Sequence, residues 1–309
     1  MRKSRNKRLL ERVAELVLPP HERKYLMKRM DIIGDIAIIK IDPAIEHRKY
    51  EIGEAILKLQ PSIKVVLRQI GPTSGIYRIK QLEWIAGERR TWTVVREYGC
   101  TFKVDLEHVF YTPRLSYEHM RIAKLVRPGE VIINMFSGVG LFSILIAKYA
   151  SPRRVYSIDI NPKAYELMIE NIRINRVQNR VIPICDDAAN AIIRKGLIHI
   201  ADRILMPLPA LALYYLPFAL LALVRSGGYI HVYLHIFSHK GSDPKDVAKY
   251  VIYQALSHLG IDFRVINIRK VRSVGIRRLQ MVIDLWCNGL EDDLPLSFLS
   301  KSKSNAYSY

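Results

Sequence analysis

Two glycines and an acidic residue that follows them form the most informative chemical pattern in this sequence. Residues 131–150, VIINMFSGVGLFSILIAKYA, join an apolar strand to a helix through a turn that contains Gly138 and Gly140, and Asp159 ends the next apolar run. Glycine allows a backbone to approach a ligand closely, the start of a helix presents unpaired N–H groups, and an acid about 20 residues later accepts both hydroxyls of a ribose. The pattern therefore predicts that this unit binds a cofactor containing adenosine.

The glycine pattern is shorter than that of a dinucleotide site, because Phe142-Ser143 stands where GxGxxG requires its third glycine. A turn without it suits a smaller cofactor that has no pyrophosphate, and S-adenosylmethionine (SAM) is the natural candidate. Asn134 stands where an acid is common, and its amide can still bond an amino group. Asp186-Asp187 follows a later strand, where an acid can meet the adenine amino group or cap a helix. The residues predicted to bind the cofactor are Phe136, Ser137, Gly138, Gly140, Asp159, Ile160, Asp186 and Asp187.

A proline-rich turn, MPLP at 206–209, ends another predicted strand, where many methyltransferases hold the substrate base. Pro207 and Pro209 fix the backbone and lack N–H groups, so the carbonyls here can face a planar base. A rigid turn before a buried helix is the alternative. Enzymes that methylate amino groups often have Asn/Asp-Pro-Pro-aromatic at this place. Its absence here argues against methylation of an exocyclic amine.

A third group of candidate residues lies in FYTPRLSYEH, residues 110–119. Arg114 is a candidate for binding phosphate or carboxylate, and Glu118 is a candidate base. Both residue types also occur as ordinary residues at a helix start, where an acid interacts favourably with the helix dipole. The aromatic residues Phe110, Tyr111 and Tyr117 are candidates for stacking on a base.

The charge of the chain indicates a polyanionic partner. Its 309 residues include 48 Lys and Arg against 29 Asp and Glu, for a net charge of +19, and the basic residues are spread along the chain. Nucleic acid is the common partner of such a protein. Cys100, Cys185 and Cys287 are isolated, so neither a disulfide framework nor a metal site is expected, and a reduced cytoplasm is the expected compartment. The uncharged stretch 204–224 is interrupted by prolines, which favours a buried strand end and core helix over a membrane span.

The predicted helices and strands suggest two domains and two flanking segments. We expect a basic helical segment over 1–28, an α+β domain over 29–112, a larger α/β domain over 113–290 and a tail over 291–309. The predicted strands of the α/β domain are 131–135, 155–159, 181–185, 202–206, 228–234, 263–270 and 279–286. Strand and helix alternate and two adjacent strands end the series, which is the order of a mostly parallel, Rossmann-like class I methyltransferase sheet.

Six motifs in their order give the chain a specific resemblance over about residues 30–286. The segments DIIGDIAII, GIYRIK, FYTPRLSYEHMRI, MFSGVGLFS, DINPKAY and ADRILMPLP resemble the archaeal tRNA guanine-37 N1-methyltransferase family. The resemblance implies SAM as cofactor, a class I methyltransferase domain, and a smaller N-terminal domain that helps hold the anticodon stem-loop. It also implies catalytic roles for an arginine matching Arg78 and for a glutamate matching Glu118, the general base that takes the N1 proton.

The chain departs from that family pattern in three ways, two of which weaken the assignment to N1 of guanine and one of which resembles the wyosine-linked branch. Pro207 replaces the asparagine of the family's NLP sequence, and the resulting PLP resembles the members that methylate C7 of 4-demethylwyosine, some of which also make N1-methylguanine. His119 replaces an arginine, a permanent bidentate donor. The third departure is length, from which we expect that the small domain that relatives often carry for the tRNA elbow does not fit before Asp31.

We therefore expect an enzyme that methylates nucleotide 37 of tRNA-Phe, with C7 of 4-demethylwyosine favoured and N1 of guanine 37 possible. The alternatives are N1 methylation only, a SAM-dependent aminocarboxypropyl transferase, and an RNA-binding module without activity. The expected catalytic residues are Glu118, Arg78, Pro207 and Pro209, and the expected RNA contacts are Phe110, Tyr111, Arg114, Tyr117 and His119. A monomer that requires neither metal nor membrane completes the expectation.

Overall fold

The computed structural model describes residues 2–257 and 259–289, so the expected tail at 291–309 lies outside the described residues. The chain divides into two compact units, one ending at Pro113 and the other beginning at Arg114. Each unit has its own sheet.

The N-terminal unit is built around a four-stranded sheet in the order β1-β2-β3-β4. Its elements are α1 (Arg2–Val17), β1 (Leu26–Ile33), β2 (Ile36–Ile41), α2 (Lys49–Leu59), β3 (Val65–Ser74) and β4 (Ile79–Gly87). Strands β2 and β3 are parallel because α2 connects them, whereas the other two pairs are antiparallel.

Helix α1 belongs to the core of this unit. Its apolar residues recur every three or four positions, and Leu10 and Val13 are almost completely buried with Ile39 of β2 and Ile52 of α2. The expected basic segment at 1–28 thus shares one core with the residues that follow it, and β1 begins inside that segment, at Leu26.

A separate hairpin, β5 (Trp92–Glu97) with β6 (Cys100–Asp105), contacts the turn between β1 and β2. The Thr93 hydroxyl donates to Asp35 at 2.7 Å, and two nitrogens of Arg90 donate to the same carboxylate at 2.6 and 3.1 Å. Gly34 has φ +57° there, and a Cβ on it would lie 2.1 Å from the Thr93 Oγ1. The close approach therefore requires glycine.

The second unit is built on a seven-stranded sheet in the order β12-β13-β11-β10-β7-β8-β9, in which β13 is antiparallel to both of its neighbours. This is the sheet of a class I methyltransferase, which confirms the expected fold class. The strands are β7 (Val131–Asn134), β8 (Arg154–Asp159), β9 (Val181–Cys185), β10 (Arg203–Met206), β11 (Gly228–Phe237), β12 (Phe263–Gly275) and β13 (Arg278–Cys287). The helices are α3 (Ser116–Leu125), α4 (Leu141–Tyr149), α5 (Pro162–Ile174), α6 (Ala188–Arg194), α7 (Ala212–Ala222) and α8 (Pro244–Ser257).

The two faces of this sheet have different surroundings. Even-numbered residues of β11, such as Val232, share a core cluster with α6, α7 and α8, whereas Tyr233 contacts Glu118 of α3. The uncharged stretch 204–224 forms the end of β10 and the buried helix α7. Among the described residues, no helix has the length and apolar character needed to cross a membrane.

Candidate active site

The glycine turn and Asp159 form one hydrogen-bonded unit. Strand β7 ends at Asn134, and the turn that follows contains Gly138 at φ +53° and Gly140 at φ +93°, conformations that favour glycine. The backbone N–H of Gly138 donates to Asp159 Oδ2 at 2.6 Å, and that of Asn161 donates to Oδ1 at 2.9 Å. Because β7 and β8 are parallel neighbours, the turn and the acid lie at the carboxyl edge of the sheet.

Two effects oppose each other at the Asp159 carboxyl. Burial raises its pKa, and the two backbone N–H bonds lower it without cancelling the effect of burial. Each carboxylate oxygen has two lone pairs, so one backbone bond to each oxygen leaves acceptor capacity for ribose hydroxyls.

The residues at this edge fit SAM. A Cβ on Gly138 would meet no atom within 4 Å, so the turn borders open space. Asn134 donates from Nδ2 to Ser143 Oγ at 3.1 Å, but its buried Oδ1 has no hydrogen-bond partner. A buried acceptor without a partner is costly, and the amino group of a bound amino acid moiety can satisfy it.

The acidic pair after β9 divides into two roles. Asp187 caps α6 by accepting from the backbone N–H groups of Ala189 and Asn190 at 2.9 and 3.1 Å, and it also accepts the hydroxyl of Tyr215. Asp186 donates its backbone N–H to the Asp159 carbonyl at 3.1 Å, so it stands beside the cofactor edge. The cap is therefore the structural role of Asp187.

The remaining cofactor candidates lie along the same edge. Phe136 is half-buried, and its ring lies edge-on to Tyr215 at 5.0 Å, while Ile160 follows Asp159 with 40% of its surface exposed. Ser137 is buried and its hydroxyl donates to the Asn134 carbonyl at 3.1 Å, which stabilises the turn itself.

Glu118 lies at the centre of a buried polar cluster. Its Oε1 accepts from Arg121 Nε at 2.6 Å and from the hydroxyl of Tyr233 at 3.2 Å, and its Oε2 accepts from Arg269. Glu118 itself is only 2% exposed. The pKa of Tyr233 is raised, chiefly by burial and then by the negative charge of Glu118, so the phenol remains a donor.

The cluster continues from α3 across strands β13, β11 and β10, through residues that the sequence did not single out. Arg121 donates to both oxygens of Asp284, at 2.7 and 3.0 Å, and His231 Nδ1 lies 2.6 Å from Asp284 Oδ1. Arg203 then lies 2.8 Å from His231 Nε2 and donates to Glu130 at 2.7 and 2.9 Å. An acid inside the apolar run MVIDLW was the available signal, since a buried charge needs a partner.

The predicted RNA contacts fall into two groups. His119 is 3% exposed and packs edge-on against Phe142 at 4.5 Å, and Tyr111 is buried with its hydroxyl donating to Glu97 at 3.0 Å. In contrast, Phe110 and Tyr117 are 38% and 64% exposed, and Arg114 is also exposed. The Arg269 guanidinium lies 4.9 Å from the Tyr117 ring centroid, a cation–π contact.

The other predicted catalytic residues lie in different units. Arg78 is in the N-terminal unit, in the turn between β3 and β4, where it is half-buried with φ +54° and burial lowers its pKa. Pro207 and Pro209 are half-buried in the turn after β10. Because β10 is the parallel neighbour of β7, these prolines lie at the same edge of the sheet as the glycine turn.

Both units of this chain match domains of known proteins. Residues 93–248 match the TRM5/TYW2 methyltransferase domain and residues 10–91 match the TYW2 N-terminal domain. The chain is 38% identical to tRNA 4-demethylwyosine(37)-methyltransferase Taw21 of Saccharolobus solfataricus over 268 residues, which covers 86% of this chain and 97% of the relative. It is also 38% identical to tRNA (guanine(37)-N(1))-methyltransferase Trm5b of Pyrococcus abyssi over 271 residues, covering 87% and 78% of the two chains.

A solved structure shares the fold. TYW2 of P. horikoshii, in complex with MeSAdo, superposes with a TM-score of 0.75 at 26% identity and covers 92% of this chain and all (100%) of that one. The wyosine-linked branch expected from the motifs is confirmed by the Taw21 and TYW2 matches. The chain is therefore an enzyme of the TRM5/TYW2 methyltransferase family, and its cofactor is SAM.

Proposed function

We propose that this enzyme methylates C7 of 4-demethylwyosine at nucleotide 37 of tRNA-Phe. The observation that carries the proposal is the turn after β10, where Pro207 and Pro209 border the cofactor edge and the segment MPLP offers no side-chain amide. An asparagine in this turn suits N1 chemistry, because an amide can bond the polar edge of guanine. Carbon methylation needs no such partner, since it depends on a flat surface that holds the ring plane against the methyl donor. Both relatives described above are named for nucleotide 37.

The chain's own residues supply binding, orientation and proton removal. SAM supplies an electrophilic methyl group on its sulfonium. Asp159 and the glycine turn hold the adenosine part, and the Asn134 amide oxygen accepts from the amino group. The two prolines set the surface against which the tricyclic base lies. Most of the acceleration in such a transfer comes from positioning, because the positive charge passes from the sulfonium to the base as the bond forms and no oxyanion has to be stabilised.

Glu118 is the proposed acceptor of the proton that C7 releases once the new carbon–carbon bond has formed. Its Oε1 already accepts two hydrogen bonds, whereas Oε2 accepts one, from Arg269. A carboxylate oxygen has two lone pairs, so Oε2 has the capacity to take the proton. Arg78 and Arg114 are proposed to contact phosphates or a base carbonyl, and Phe110 and Tyr117 to stack on bases.

Mass spectrometry of tRNA nucleosides tests the reaction. The enzyme is incubated with SAM and either unmodified tRNA-Phe transcript or tRNA-Phe that carries 4-demethylwyosine. We expect a gain of one methyl group on the tricyclic base and little or none on guanine 37. A gain on plain guanine 37 at a comparable rate would overturn the preference, and transfer of a larger carbon chain would indicate an aminocarboxypropyl transferase instead.

N1 methylation of guanine 37 is the second candidate function. It is favoured by the carboxylate of Glu118, which the motif FYTPRLSYEHMRI places where the family has its general base for the N1 proton. The same two-substrate experiment measures this activity directly.

A further inference from the structure

One face of strands β11–β13 carries aromatic and basic side chains from the buried Glu118 to the carboxyl edge of the sheet. Alternate residues of a strand point to the same face. On β11, Tyr233 points to Glu118, so His235 and Phe237 follow it on that face, and both are exposed. Phe237 keeps 47% of its surface exposed, and the ring of His239 stands edge-on to it at 5.0 Å.

The register of the neighbouring strands places arginines on the same face. His235 pairs with Gln280 and Phe237 pairs with Arg278. Gln280 in turn pairs with Arg272, whose Nε donates to Gln280 Oε1 at 2.7 Å. We call His235, Phe237, Arg269, Arg272 and Arg278 the β11–β13 track.

The charge of β12 and of the turn that follows it is of one sign. Residues 263–278, FRVINIRKVRSVGIRR, contain six arginines and lysines and no acid. Preventing aggregation is by itself a sufficient reason for positive charge on an edge strand. That role does not require exposed apolar side chains between the charges, yet Phe237 is 47% exposed and Ile276, at the hairpin tip, is 91% exposed. Basic residues interleaved with exposed aromatic and aliphatic surface are typical of a surface that binds single-stranded nucleic acid.

We propose that the β11–β13 track binds the single-stranded loop nucleotides that flank the target nucleotide. Phe237 stacks on a base, and Arg272 and Arg278 bind phosphates. Arg269 connects the track to the reaction, because it bonds Glu118 and lies over the exposed ring of Tyr117. A loop bound to the track therefore reaches Arg269, which holds the proposed general base, Glu118. Since the substrate is RNA only under the function proposed above, the track rests on that function.

RNA affinity measured by fluorescence anisotropy tests the track. The full-length enzyme and its variants Phe237→Ala and Arg278→Ala are titrated into labelled anticodon stem-loop RNA and into a blunt RNA duplex of equal length. Two exposed residues away from the track give matched controls: Tyr250→Ala on α8, which packs on the opposite face, and Arg153→Ala before β8. SAM affinity, measured by calorimetry, reports on the integrity of the fold.

The Phe237→Ala variant is expected to bind the stem-loop about tenfold more weakly and the duplex as the wild type does, because only unpaired bases can stack on a side chain. Arg278→Ala is expected to reduce the slope of log affinity against log salt by about 0.7 to 0.9. The control variants and SAM affinity should remain unchanged.

Two results would overturn the track: a stem-loop affinity of Phe237→Ala equal to that of the controls, or an equal loss in Phe237→Ala on stem-loop and duplex. Absence of any RNA binding by the wild type would overturn it as well. The proposed function fails separately, since methyl transfer is measured on tRNA by mass spectrometry. Weakened stem-loop binding in an enzyme that transfers no methyl group would leave the track and remove the function.

Discussion

Arg121 on α3 binds Asp284 on β13 through two hydrogen bonds, one to each carboxylate oxygen, at 2.7 and 3.0 Å. The remaining nitrogen of the same guanidinium, Nε, donates to Glu118 at 2.6 Å. Because Asp284 is fixed in the middle of a buried strand, it sets the position of Arg121, and Arg121 sets one side of Glu118. The proposed base is thus held by the sheet as well as by its own helix.

Replacing Asp284 with asparagine should destabilise the second unit. The amide keeps the shape of the side chain but removes the negative charge beside Arg121 and one of the two acceptor oxygens, and breaking a buried pair costs about 3–5 kcal/mol. Chemical denaturation measures the change in the free energy of unfolding. Asp243→Asn is the control, because that carboxylate lies in an exposed turn before α8. A change below about 0.5 kcal/mol in Asp284→Asn, the size of an ordinary surface substitution, would contradict the structural role.

His231 should contribute stability that is lost as the pH drops below about 6.5, the usual value for histidine. Burial lowers the pKa of His231, and the nearby charges of Arg203 and Arg121 lower it further, against the raising effect of Asp284. The unfolded chain then takes up a proton that the folded chain does not, so stability is present above pH 6.5 and is lost between that value and the lower folded pKa. The slope should reach at most about 1.4 kcal/mol per pH unit.

This effect is separable from that of Asp284. Burial raises the Asp284 pKa, but hydrogen bonds from His231 and Arg121 outweigh it and lower the pKa, so its own contribution is lost only below about pH 4. Asp159 acts in the opposite direction, because its raised pKa makes the folded chain take up a proton as the pH falls. Urea unfolding at pH 5 and pH 7.5 is therefore compared between the wild type and His231→Gln. The change from pH 7.5 to pH 5 should be less destabilising in His231→Gln than in the wild type or in His239→Gln, an exposed histidine. An equal change in all three proteins would contradict the prediction.

Glu118→Gln should slow methyl transfer while SAM affinity stays unchanged. The amide can still accept from Arg121 or Arg269, but it cannot take up a proton. Single-turnover transfer to tRNA and calorimetry with SAM separate the two effects. Asp284→Asn shows how much of any loss follows from displacement of Glu118 rather than from removal of its charge. Turnover at the wild-type rate in Glu118→Gln would remove this residue from the mechanism.

The two glycines of the turn should respond differently to alanine. At Gly138 the new Cβ would meet nothing within 4 Å, so beyond the strain of φ +53° the methyl group would occupy only space beside the turn. At Gly140 it would lie 3.1 Å from Ile144 and 3.2 Å from Met168, in addition to the strain of φ +93°. Gly138→Ala should therefore lose about 1–2 kcal/mol of stability from backbone strain. Its SAM affinity should fall more than that of Gly140→Ala. Gly140→Ala should lose more stability, and equal unfolding free energies in the two variants would contradict this difference.

The sequence predicted the local elements and the meeting of the glycine turn with Asp159, because both depend on short-range patterns. Apolar runs bounded by turn residues predicted most strand ends of the second unit to within one or two residues. Strand β12 extends five residues further than expected, to Gly275, because it pairs with β13 over its whole length. The buried cluster was not predictable, since Arg121 and Asp284 are 163 positions apart and only the folded sheet brings them together. The burial of His119 has the same cause: its partner Phe142 lies on another helix.

The turn after β10 offers the most direct test of which atom is methylated. Pro207→Asn restores the asparagine of the NLP sequence, so a side-chain amide is present where the segment MPLP has none. Methylation of unmodified guanine 37 should rise relative to that of 4-demethylwyosine by at least about tenfold, the effect of one good hydrogen bond of about 1.4 kcal/mol made only to guanine. Pro209→Ala is the matched control, because it loosens the same turn without adding an amide. Mass spectrometry of both tRNA substrates gives the ratio, and an equal shift in the two variants would mean that flexibility of the turn, rather than the amide, determines the choice.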